Sequence, residues 1–395
     1  MEMLSIVAPL LSWYDRNARD LPWRRNPSPY RTWISEIMLQ QTRVEAGKGY
    51  YLRWMEELPD VEALANVPEE KLMKLWQGLG YYNRARNLKK AAGIVMEQYG
   101  GTLPGRYEEL LSLPGIGPYT AGAIGSIAFG LPVAAVDGNV LRVVARLTAD
   151  KDDISSTATK KKLEQLLLDV IPGGRPGDFN QALMELGALV CIPNGAPKCG
   201  QCPISDSCKA HTLEIETELP VKAPKKGRRI EEKTILLLRN KGRILLHKRD
   251  EKGLLAGLWE LPGLDGEVGT DQVKQLLERK GFPVKDIKAL PPAKHIFSHI
   301  EWHMKGFAVE LELLSDSDST VYNNCTEGAW KTGMVNEGAE YYSRDKTDET
   351  PRWVWADGQE LKAKYALPSA FRYFMKFLPD QVIDTSNRRE HKWYR

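Results

Sequence analysis

Apolar residues recur every three or four positions through the first 220 residues of the chain, which is the period of an amphipathic α-helix. The pattern is clearest in three segments, residues 61–77, 84–98 and 157–171. Ser156 or Thr157 is a suitable N-cap for the last segment, and Pro172 begins a Pro-Gly-Gly stop signal after it. Because β-type runs are absent from this half, we predict an all-α domain over residues 1–220.

The pattern changes at residues 221–233, VKAPKKGRRIEEK, which have almost nothing to bury and predict a basic interdomain linker. Beyond it, ILLL, GRILLHKR and FAVELELL are apolar β-type runs separated by Gly and Pro. Helical periods are limited to 271–280 and the region near 369–378. We therefore predict an α+β domain over 234–380. The polar stretch 315–350 is predicted to be a long loop or insertion, and 381–395 a C-terminal tail.

Composition adds less than the pattern. A length of 395 residues favours two or three domains, and 42% hydrophobic residues is typical of a globular chain. The net charge of +3 neither indicates nor excludes a nucleic-acid partner. No run of about 18 uncharged apolar residues is present, and the first 16 residues lack the basic start of a signal peptide. We expect a soluble, monomeric, cytoplasmic protein with no membrane partner, associated with the nucleoid if bacterial.

Four of the five cysteines fall within 18 residues, in the spacing C-x7-C-x2-C-x5-C: Cys191, Cys199, Cys202 and Cys208. In an intracellular protein, clustered thiols favour a metal over disulfides. Four thiolates can surround one metal ion or one iron–sulfur cluster, but structural zinc sites more often use two C-x2-C pairs. The spacing therefore favours a cluster over zinc, with free buried thiols as the remaining alternative. Cys325 stands apart and is structural or incidental.

Two further motifs lie at apparent helix starts, one rich in glycine and the other containing an acid. In LPGIGPYTAGA, Gly115 and Gly117 lie at a turn between helices, where backbone amides can bind a phosphate without reading sequence. About 20 residues later, VDGNV places Asp137 at an apparent helix start, where an N-cap role alone explains an acid. The glycine pattern by itself is equally compatible with an ordinary turn.

A buried acid and an aromatic turn complete the candidate chemistry. Glu36 lies between Ile34 and Ile37, so burial would raise its pKa and make it a proton donor near neutral pH; a solvated helix face is the alternative. The segment 78–84, GLGYYNR, sets aromatic rings beside basic side chains in a glycine-rich turn. Such a turn suits base stacking or a wedge into a duplex, and core packing is the competing interpretation.

These residues carry a resemblance. The first 220 residues resemble the helix–hairpin–helix, iron–sulfur DNA glycosylases, and the whole chain resembles the MutY-type adenine DNA glycosylases, with a C-terminal Nudix-like domain. The matching strings are LPWRRNPSPYRTWISEIMLQQTR, WQGLGYYNRARNL, LPGIGPYTAGAI, VDGNVLRVVARL, FNQALMELGALVC and FSH. The resemblance implies base-excision removal of adenine opposite 8-oxoguanine in duplex DNA. It also implies a [4Fe-4S] cluster on the four clustered cysteines, although the first cysteine gap is one residue longer than in the family.

The resemblance also implies catalytic roles. Glu36 would protonate adenine, and Asp137 would stay ionised and stabilise the sugar cation. Tyr119 stands where bifunctional relatives resembling endonuclease III carry a Schiff-base lysine, so strand cleavage is not expected. Asn139 would orient Asp137 or the attacking water.

For substrate recognition, the resemblance implies that Trp23, Arg24 and Glu185 line the pocket for the extrahelical adenine, that Gln41 and Tyr81 fill the vacated duplex, and that Thr42 and Leu79 lie near the opposite base. The loop Phe297-Ser298-His299 would reach 8-oxoguanine; for His299 a packed strand residue is the alternative. The Nudix-like domain lacks the acidic helix that would hold Mg²⁺, having only scattered Glu267 and Glu278, so it is not expected to be a hydrolase.

Two alternative functions remain open at this point. One is a bifunctional pyrimidine-lesion glycosylase and lyase, against which Tyr119 and the FSH loop argue. The other is a noncatalytic, cluster-bearing DNA-binding protein or a Nudix-type nucleotide binder, which would not need both Glu36 and Asp137. Since the total charge is nearly balanced, DNA binding is predicted to depend on hairpin amides and on a few local cations: Arg24, Arg43, Arg84, Arg86, Arg142 and Lys198.

Overall fold

A computed structural model of the chain describes residues 3–224, 227–312 and 352–378. The predicted insertion, the C-terminal tail and Cys325 lie outside the described residues. The chain divides into two compact units, the first comprising Met1–Pro68 and Tyr81–Lys225, the second Glu69–Gly80 and Lys226–Arg395. No described helix is both long and apolar enough to cross a membrane.

The N-terminal half is helical and the C-terminal half is built on a sheet, which confirms the predicted fold class. The helices of the N-terminal half are α1 (Val7–Asn17), α2 (Pro22–Arg25), α3 (Pro29–Leu39), α4 (Val44–Glu57), α5 (Val61–Asn66), α6 (Glu69–Trp76), α7 (Asn83–Tyr99), α8 (Tyr107–Ser112), α9 (Pro118–Phe129), α10 (Gly138–Thr148), α11 (Thr157–Leu168), α12 (Pro176–Leu189) and α13 (Lys209–Thr212). Of these, α6 belongs to the second unit.

Local sequence explains where several helices begin and end. Ser156 caps α11, accepting a hydrogen bond at Oγ from the Thr159 amide at 3.1 Å. The helix predicted over 61–77 is instead two helices, α5 and α6. Pro68 separates them because its ring disfavours a helical conformation at Val67 and removes an amide donor.

The centre of the first unit is α10, whose Val140, Val143 and Val144 pack in the core with residues of α1 and α12. Two arginines of this helix, Arg142 and Arg146, are also buried, with relative exposures of 5% and 3%. Buried guanidinium groups require hydrogen-bond acceptors, and here the acceptors include the Cys191 carbonyl and thiol as well as Asn139 Oδ1.

A glycine lets the chain approach α9 closely. A Cβ added to Gly122 would lie 2.0 Å from the carbonyl oxygen of Ala134. The same extended segment is held by Asn180, which is fully buried and accepts a hydrogen bond from the Ala135 amide at 3.0 Å while donating to the Val133 carbonyl at 2.9 Å. This segment ends at Asp137, so its packing sets the position of that candidate catalytic carboxylate.

The described residues of the second unit form a seven-stranded sheet in the order β3-β2-β1-β6-β5, with β4 paired to β1 and β7 to β2. The strands are β1 (Arg229–Asn240), β2 (Arg243–Lys248), β3 (Trp259–Glu260), β4 (Gly263–Asp265), β5 (Val284–Ile296), β6 (Ile300–Leu311) and β7 (Trp353–Ala356); the helices are α14 (Thr270–Arg279), α15 (Gly358–Ala363) and α16 (Arg372–Met375). Only β1 and β6 pair in parallel among the described strands. Val273 and Leu277 of α14 pack in one hydrophobic cluster, and Phe371 and Phe374 pack in a second.

Strand β1 begins at Arg229, inside the segment interpreted as linker. Its first residues are polar and would not predict a strand, but β6 supplies a parallel partner from Ile300 onward. Strand β5 was likewise not predicted. Most residues of β5 are exposed and several are lysines, so the sequence does not show the alternation of apolar and polar residues that is typical of a strand. The pairing of β5 with β6 is also irregular between Leu290 and Ala293, around a Pro-Pro pair.

Helix α6 is fastened to the second unit through backbone acceptors. Lys74 donates from Nζ to the carbonyls of Leu361 (2.8 Å) and Tyr365 (3.1 Å), and Gln77 donates to the carbonyl of Leu367 (2.9 Å). Burial lowers the pKa of Lys74 to about 8. Three contacts of this kind explain why a helix lying between α5 and α7 in sequence groups with the second unit.

The close approach at Gly122 predicts a large asymmetry between two alanine substitutions in helices. Gly122→Ala should destabilise the protein by about 2 kcal/mol or more, because the methyl group must displace backbone. Gly93→Ala, in α7 with nothing within 4 Å, should be neutral or stabilising by up to about 1 kcal/mol. Thermal denaturation of the full chain measures both, and equal melting temperatures for the two variants would contradict the packing described.

Candidate active site

A cavity of about 730 Å³ lies in the first unit, within the size range of small-molecule sites. It is lined by residues of α2, α3, α9 and α12 and by the start of α10. The lining includes nine residues selected from the sequence: Trp23, Arg24, Glu36, Gln41, Thr42, Tyr119, Asp137, Asn139 and Glu185. The remaining candidates, Leu79, Tyr81, the hairpin glycines and the FSH loop, lie elsewhere.

Glu36 is on the buried face of α3, with 9% of its surface exposed. The Tyr119 hydroxyl donates to its Oε2. Burial raises the pKa of Glu36 to about 7, and the charge of Asp137 acts in the same direction, while the Tyr119 hydrogen bond opposes both. A substantial fraction of Glu36 is therefore protonated near neutral pH, and the solvated-face alternative is wrong.

Asp137 is the N-cap of α10, as the simpler interpretation predicted, and it also faces the cavity. Its Oδ1 accepts from the amides of Asn139 (2.9 Å) and Val140 (2.8 Å), and its Oδ2 accepts from Asn139 Nδ2 at 2.9 Å. Burial raises the pKa of Asp137, whereas these donors and the Arg142 charge lower it. Three donors fix the carboxyl group in one orientation.

A buried arginine extends this arrangement. Arg142 donates from Nη2 to Asn139 Oδ1 at 2.9 Å and to the Gly187 carbonyl at 2.7 Å, and from Nε to the Cys191 carbonyl at 2.8 Å. Asn139 is therefore held on both sides, by Asp137 and by Arg142. Its placement beside α12 also needs Gly187, where a Cβ would lie 2.7 Å from Asn139 Cβ.

Opposite the two acids, one wall of the cavity is an ion-pair network around Glu185, which is completely buried. Arg19 binds it through Nε (2.6 Å), Nη2 (2.8 Å) and its own amide (3.0 Å), and Arg24 donates from Nη2 at 3.2 Å. Burial alone would raise the pKa of Glu185, but Arg19 and Arg24 lower it to about 2. Trp23 packs edge-on against Tyr51 at 5.3 Å.

Two residues of this wall were missed from the sequence, Arg19 and Gln181. Gln181 Oε1 accepts from Arg24 Nε at 3.0 Å, which leaves the side-chain amide of Gln181 on the cavity surface. The position of Gln181 four residues before Glu185 puts both on one face of α12, and that spacing could have revealed it. No local signal identifies Arg19, whose partner is 166 residues away.

Two exposed side chains, Gln41 and Tyr81, occupy separate loops with left-handed backbone, at φ 58° and 47°. Gln41 follows the C-cap of α3, and the neighbouring Gln40 donates to Thr120 Oγ1 at 3.3 Å. Tyr81 is 50% exposed, whereas Leu79 is 8% exposed in the turn after α6. The alternative of aromatic core packing thus holds for Tyr82, which is 7% exposed, and fails for Tyr81.

Helices α8 and α9 form the expected hairpin. Gly115 adopts φ +79° and lies so close to Asn87 that a Cβ would be 2.7 Å from Asn87 Cβ. Gly117 is the N-cap of α9, and no side chain caps the first amides of this helix. This end of the hairpin is chemically suited to bind a phosphate.

The four clustered cysteines line a single cavity, with Val143 and Leu147 of α10 among its apolar walls. Arg146 donates from Nη1 to Cys191 Sγ at 3.3 Å, and also holds the carbonyls of Ile192 (3.0 Å) and Leu219 (2.9 Å). Burial raises the pKa of Cys199 to about 11 and that of Cys202 to about 12, with mutual repulsion among the thiols contributing. Convergence of four sulfurs with a buried donor fits a cluster bound by thiolates.

A second ligand set overlaps the cysteine cavity. Cys199, His211 and Glu216 each offer one ligand atom, and these three atoms lie within 4.8 Å of one another. The two members of this set that are not cysteines are hydrogen-bonded to each other, with His211 Nδ1 2.6 Å from Glu216 Oε1. This set shares only one of the four converging thiols, so the cysteine cavity remains better matched to four sulfur ligands.

Three of the cations predicted to contact DNA are instead bonded within the protein. Arg142 is buried and bonded as described, Arg84 donates to three backbone carbonyls of α3 and its C-cap, and Arg24 donates to Glu185 and Gln181. The prediction is wrong for these three, because charge along a sequence does not distinguish a surface cation from one whose acceptors lie within the fold.

In the second unit, the FSH loop is the turn between β5 and β6. Ser298 and His299 are exposed, so the packed-strand alternative for His299 is wrong. The ring of Phe297 packs against Trp302 with centroids 4.9 Å apart. The loop is fastened by the start of β1, since the Arg229 amide donates to the His299 carbonyl at 3.0 Å and Arg228 Nε to the Phe297 carbonyl at 3.1 Å.

Helix α14 occupies the place where metal-binding acids would be needed for hydrolysis. It offers only Asp271 and Glu278 as acids, and Glu278 pairs with Lys274 at 3.9 Å. Within the described part of this unit, no group of three metal-ligating side chains converges.

Comparison with known proteins covers both units. A family model described as HhH-GPD superfamily base excision DNA repair protein matches residues 34–171, and one described as NUDIX domain matches residues 234–377. A solved thermostable thymine-DNA glycosylase is 32% identical, with a TM-score of 0.48, covering 54% of this chain and 97% of its own.

Curated relatives extend the match to most of the chain. The adenine DNA glycosylase of Homo sapiens is 38% identical over 371 residues, covering 79% of this chain and 68% of the human protein. That of Buchnera aphidicola subsp. Baizongia pistaciae is 34% identical over 331 residues, covering 82% of this chain and 92% of the relative. With identity at this level across both the helical and the Nudix-like part, the chain belongs to the MutY-type adenine DNA glycosylases, enzymes of the HhH-GPD superfamily.

Proposed function

We propose that this protein excises adenine paired with 8-oxoguanine, and also adenine paired with guanine, from duplex DNA by hydrolysing the N-glycosidic bond. The observation that carries the proposal is the pair of carboxyl groups on one cavity of about 730 Å³, that of Glu36, which is buried, and that of Asp137, which is half-buried. The names of the relatives supply the base, adenine. The cavity can accept a base only after it leaves the stack, at a cost that is smaller for a mispair.

The chemistry divides between the two acids. Breaking the glycosidic bond leaves an electron-rich base and an oxocarbenium-like sugar. Glu36, protonated near neutral pH, donates its proton to the departing adenine, and Tyr119 keeps its carboxyl group aimed. Asp137, oriented by three donors, is the anion placed to stabilise the cation, and Asn139 is placed to orient water beside it.

Release of the base without strand cleavage follows from the lining of the cavity. A lyase step needs an amine that forms a Schiff base with the sugar. Among the described residues that line the cavity, none is a lysine, and the two arginines Arg19 and Arg24 are committed to Glu185. Tyr119, at the position of the lysine in bifunctional relatives, donates to Glu36 instead.

Recognition of the opposite base is assigned to the FSH loop. Ser298 and His299 are exposed at a hairpin turn that Phe297 anchors against Trp302. A rigid polar tip of this kind can hydrogen-bond the groups that distinguish 8-oxoguanine from guanine. In the first unit, Gln41 and Tyr81 are the exposed side chains available to occupy the space that the adenine vacates.

A [4Fe-4S] cluster would be held by Cys191, Cys199, Cys202 and Cys208. When bound, it supplies a covalent clamp on the cysteine-rich loop and a redox centre. This chain's own contribution is a link between that loop and the active site, because Arg142 joins the Cys191 carbonyl to Asn139 and thereby to Asp137.

The duplex assay tests the function directly. Duplexes carrying adenine opposite 8-oxoguanine, adenine opposite guanine, or thymine glycol are incubated with the full chain, and the strands are resolved with and without alkali. We expect cleavage at adenine that depends on alkali, since base release alone leaves an alkali-labile abasic site. Direct nicking, or activity confined to the damaged pyrimidine, would favour the lyase.

The pH dependence of base release follows from the two carboxyl groups. Raising the pH through about 7 removes the proton from Glu36 and should lower the single-turnover excision rate. Lowering the pH should also slow it as Asp137, whose pKa is raised by burial, gains a proton. Glu36→Gln should reduce the rate by about 10²-fold or more while keeping mispair binding, and the exposed control Glu56→Gln should change neither. A rate that is flat across pH 7 would remove Glu36 as the acid.

The FSH assignment predicts a change in selectivity rather than in catalysis. Ser298→Ala should narrow the preference for 8-oxoguanine over guanine by up to about tenfold, the worth of one hydrogen bond, with adenine excision opposite guanine nearly unchanged. Ser369→Ala, an exposed serine elsewhere in the same unit, is the control. Excision rates on the two duplexes measure the ratio, and an unaltered ratio in Ser298→Ala rejects the assignment.

A further inference from the structure

The two exposed side chains available to enter the duplex, Gln41 and Tyr81, are held in an uncommon backbone conformation. Both have positive φ, at 58° and 47°, although neither is glycine. For such residues the left-handed region costs free energy, and it persists only where surrounding contacts impose it. The two residues lie on different loops of the first unit, Gln41 after α3 and Tyr81 before α7. A contact that reaches both loops could impose both conformations.

One side chain, that of Arg84, reaches both loops. From the first turn of α7, its Nη1 donates to the carbonyls of Ile37 (2.7 Å), Met38 (3.2 Å) and Gln40 (2.7 Å). These carbonyls belong to the last turn and the C-cap of α3, where acceptors lack partners within the helix and a positive charge is favoured. The residue that follows this C-cap is Gln41.

Arg84 also fixes the second loop. Its guanidinium carbon lies 5.7 Å from the centroid of the Tyr81 ring, and its amide donates to the Tyr81 carbonyl at 2.9 Å. Burial lowers the pKa of Arg84 to about 10, which leaves the group charged at neutral pH. Nη1 serves the three carbonyls while the planar guanidinium lies beside the Tyr81 ring, and the compact ammonium group of lysine does not reproduce this combination.

We infer that Arg84 is a positioning residue that sets the two loops carrying Gln41 and Tyr81 in the conformation needed to displace adenine from the duplex. It contacts neither the base nor the reacting atoms; it acts through the loops. The inference rests on the proposed function for its role in extrusion, whereas the loop geometry itself can be tested without DNA.

The DNA-free test is hydrogen–deuterium exchange of the full chain. Arg84→Met should speed exchange in peptides that span residues 40–43 and 81–84, because the side-chain hydrogen bonds to the end of α3 and the guanidinium contact with the Tyr81 ring are lost. Arg84→Lys should give an intermediate effect. The control, Lys90→Met, removes an exposed cation from the same helix and should leave these peptides unchanged. Unchanged exchange in Arg84→Met would overturn the inference.

The catalytic test compares two duplexes. Arg84→Met should slow single-turnover excision of adenine opposite 8-oxoguanine by about tenfold or more relative to wild type, since a paired base must be extruded. The deficit should shrink to about threefold or less for adenine opposite an abasic site, where extrusion costs less. Equal deficits on the two duplexes would indicate general damage to the fold and would overturn the inference. If Arg84→Met does not fold, Arg84→Lys is compared in the same way.

The two proposals fail differently. If the wild-type chain releases no adenine from any duplex, the proposed function is wrong, and the exchange experiment still decides whether Arg84 positions both loops. If the wild type releases adenine and Arg84→Met does so at the wild-type rate with unchanged exchange, the function stands and the positioning role of Arg84 is wrong.

Discussion

The active-site cavity depends on the removal from bulk water of two carboxyl groups that differ in hydrogen bonding, since Glu36 is buried and Asp137 is half-buried within one helical unit. Desolvation acts on both in the same direction, raising the pKa of each. The difference comes from the donors. Glu36 receives one hydroxyl, whereas Asp137 receives two backbone amides and the Asn139 side chain. The N-terminus of α10 therefore supplies Asp137 with amide donors that favour its ionised form.

Backbone packing supplies the precision that this division requires. Asp137 ends an extended segment that lies against α9 at Gly122 and is bonded to Asn180 on α12. Asn139 approaches α12 at Gly187. The contacts at Gly122 and Gly187 leave no space for a Cβ atom. The hydrogen bonds to Asn180 pair backbone groups of the extended segment that have no neighbouring strand to bond. The positions of Asp137 and Asn139 are thus fixed by close contacts between their backbone and the neighbouring helices.

Sequence reasoning recovered the parts governed by local rules. Periodicity predicted the helical half, the burial of Glu36 followed from its apolar neighbours, and the VDGN string placed Asp137 at a helix start. Residues whose partners are distant in sequence were missed or misassigned: Arg19 binds Glu185, Arg142 reaches Cys191, and Arg84 was interpreted as a surface cation. Nothing in the neighbourhood of an arginine states whether its acceptor is a phosphate or a carbonyl brought close by folding. The predicted linker included the start of strand β1 for a related reason. The first residues of this strand are polar, and only their pairing with β6 identifies them as a strand.

The buried acid also links the stability of the fold to pH. Unfolding returns Glu36 to water, where its pKa is near 4.5, while in the folded protein the value is about 7. Between these values the native state binds more protons than the unfolded chain, so the contribution of Glu36 to the free energy of unfolding is fully present below the lower value and is lost as the pH rises through the upper one. The burial that raises the pKa of Glu36 therefore makes the folded state less stable under mildly alkaline than under mildly acidic conditions.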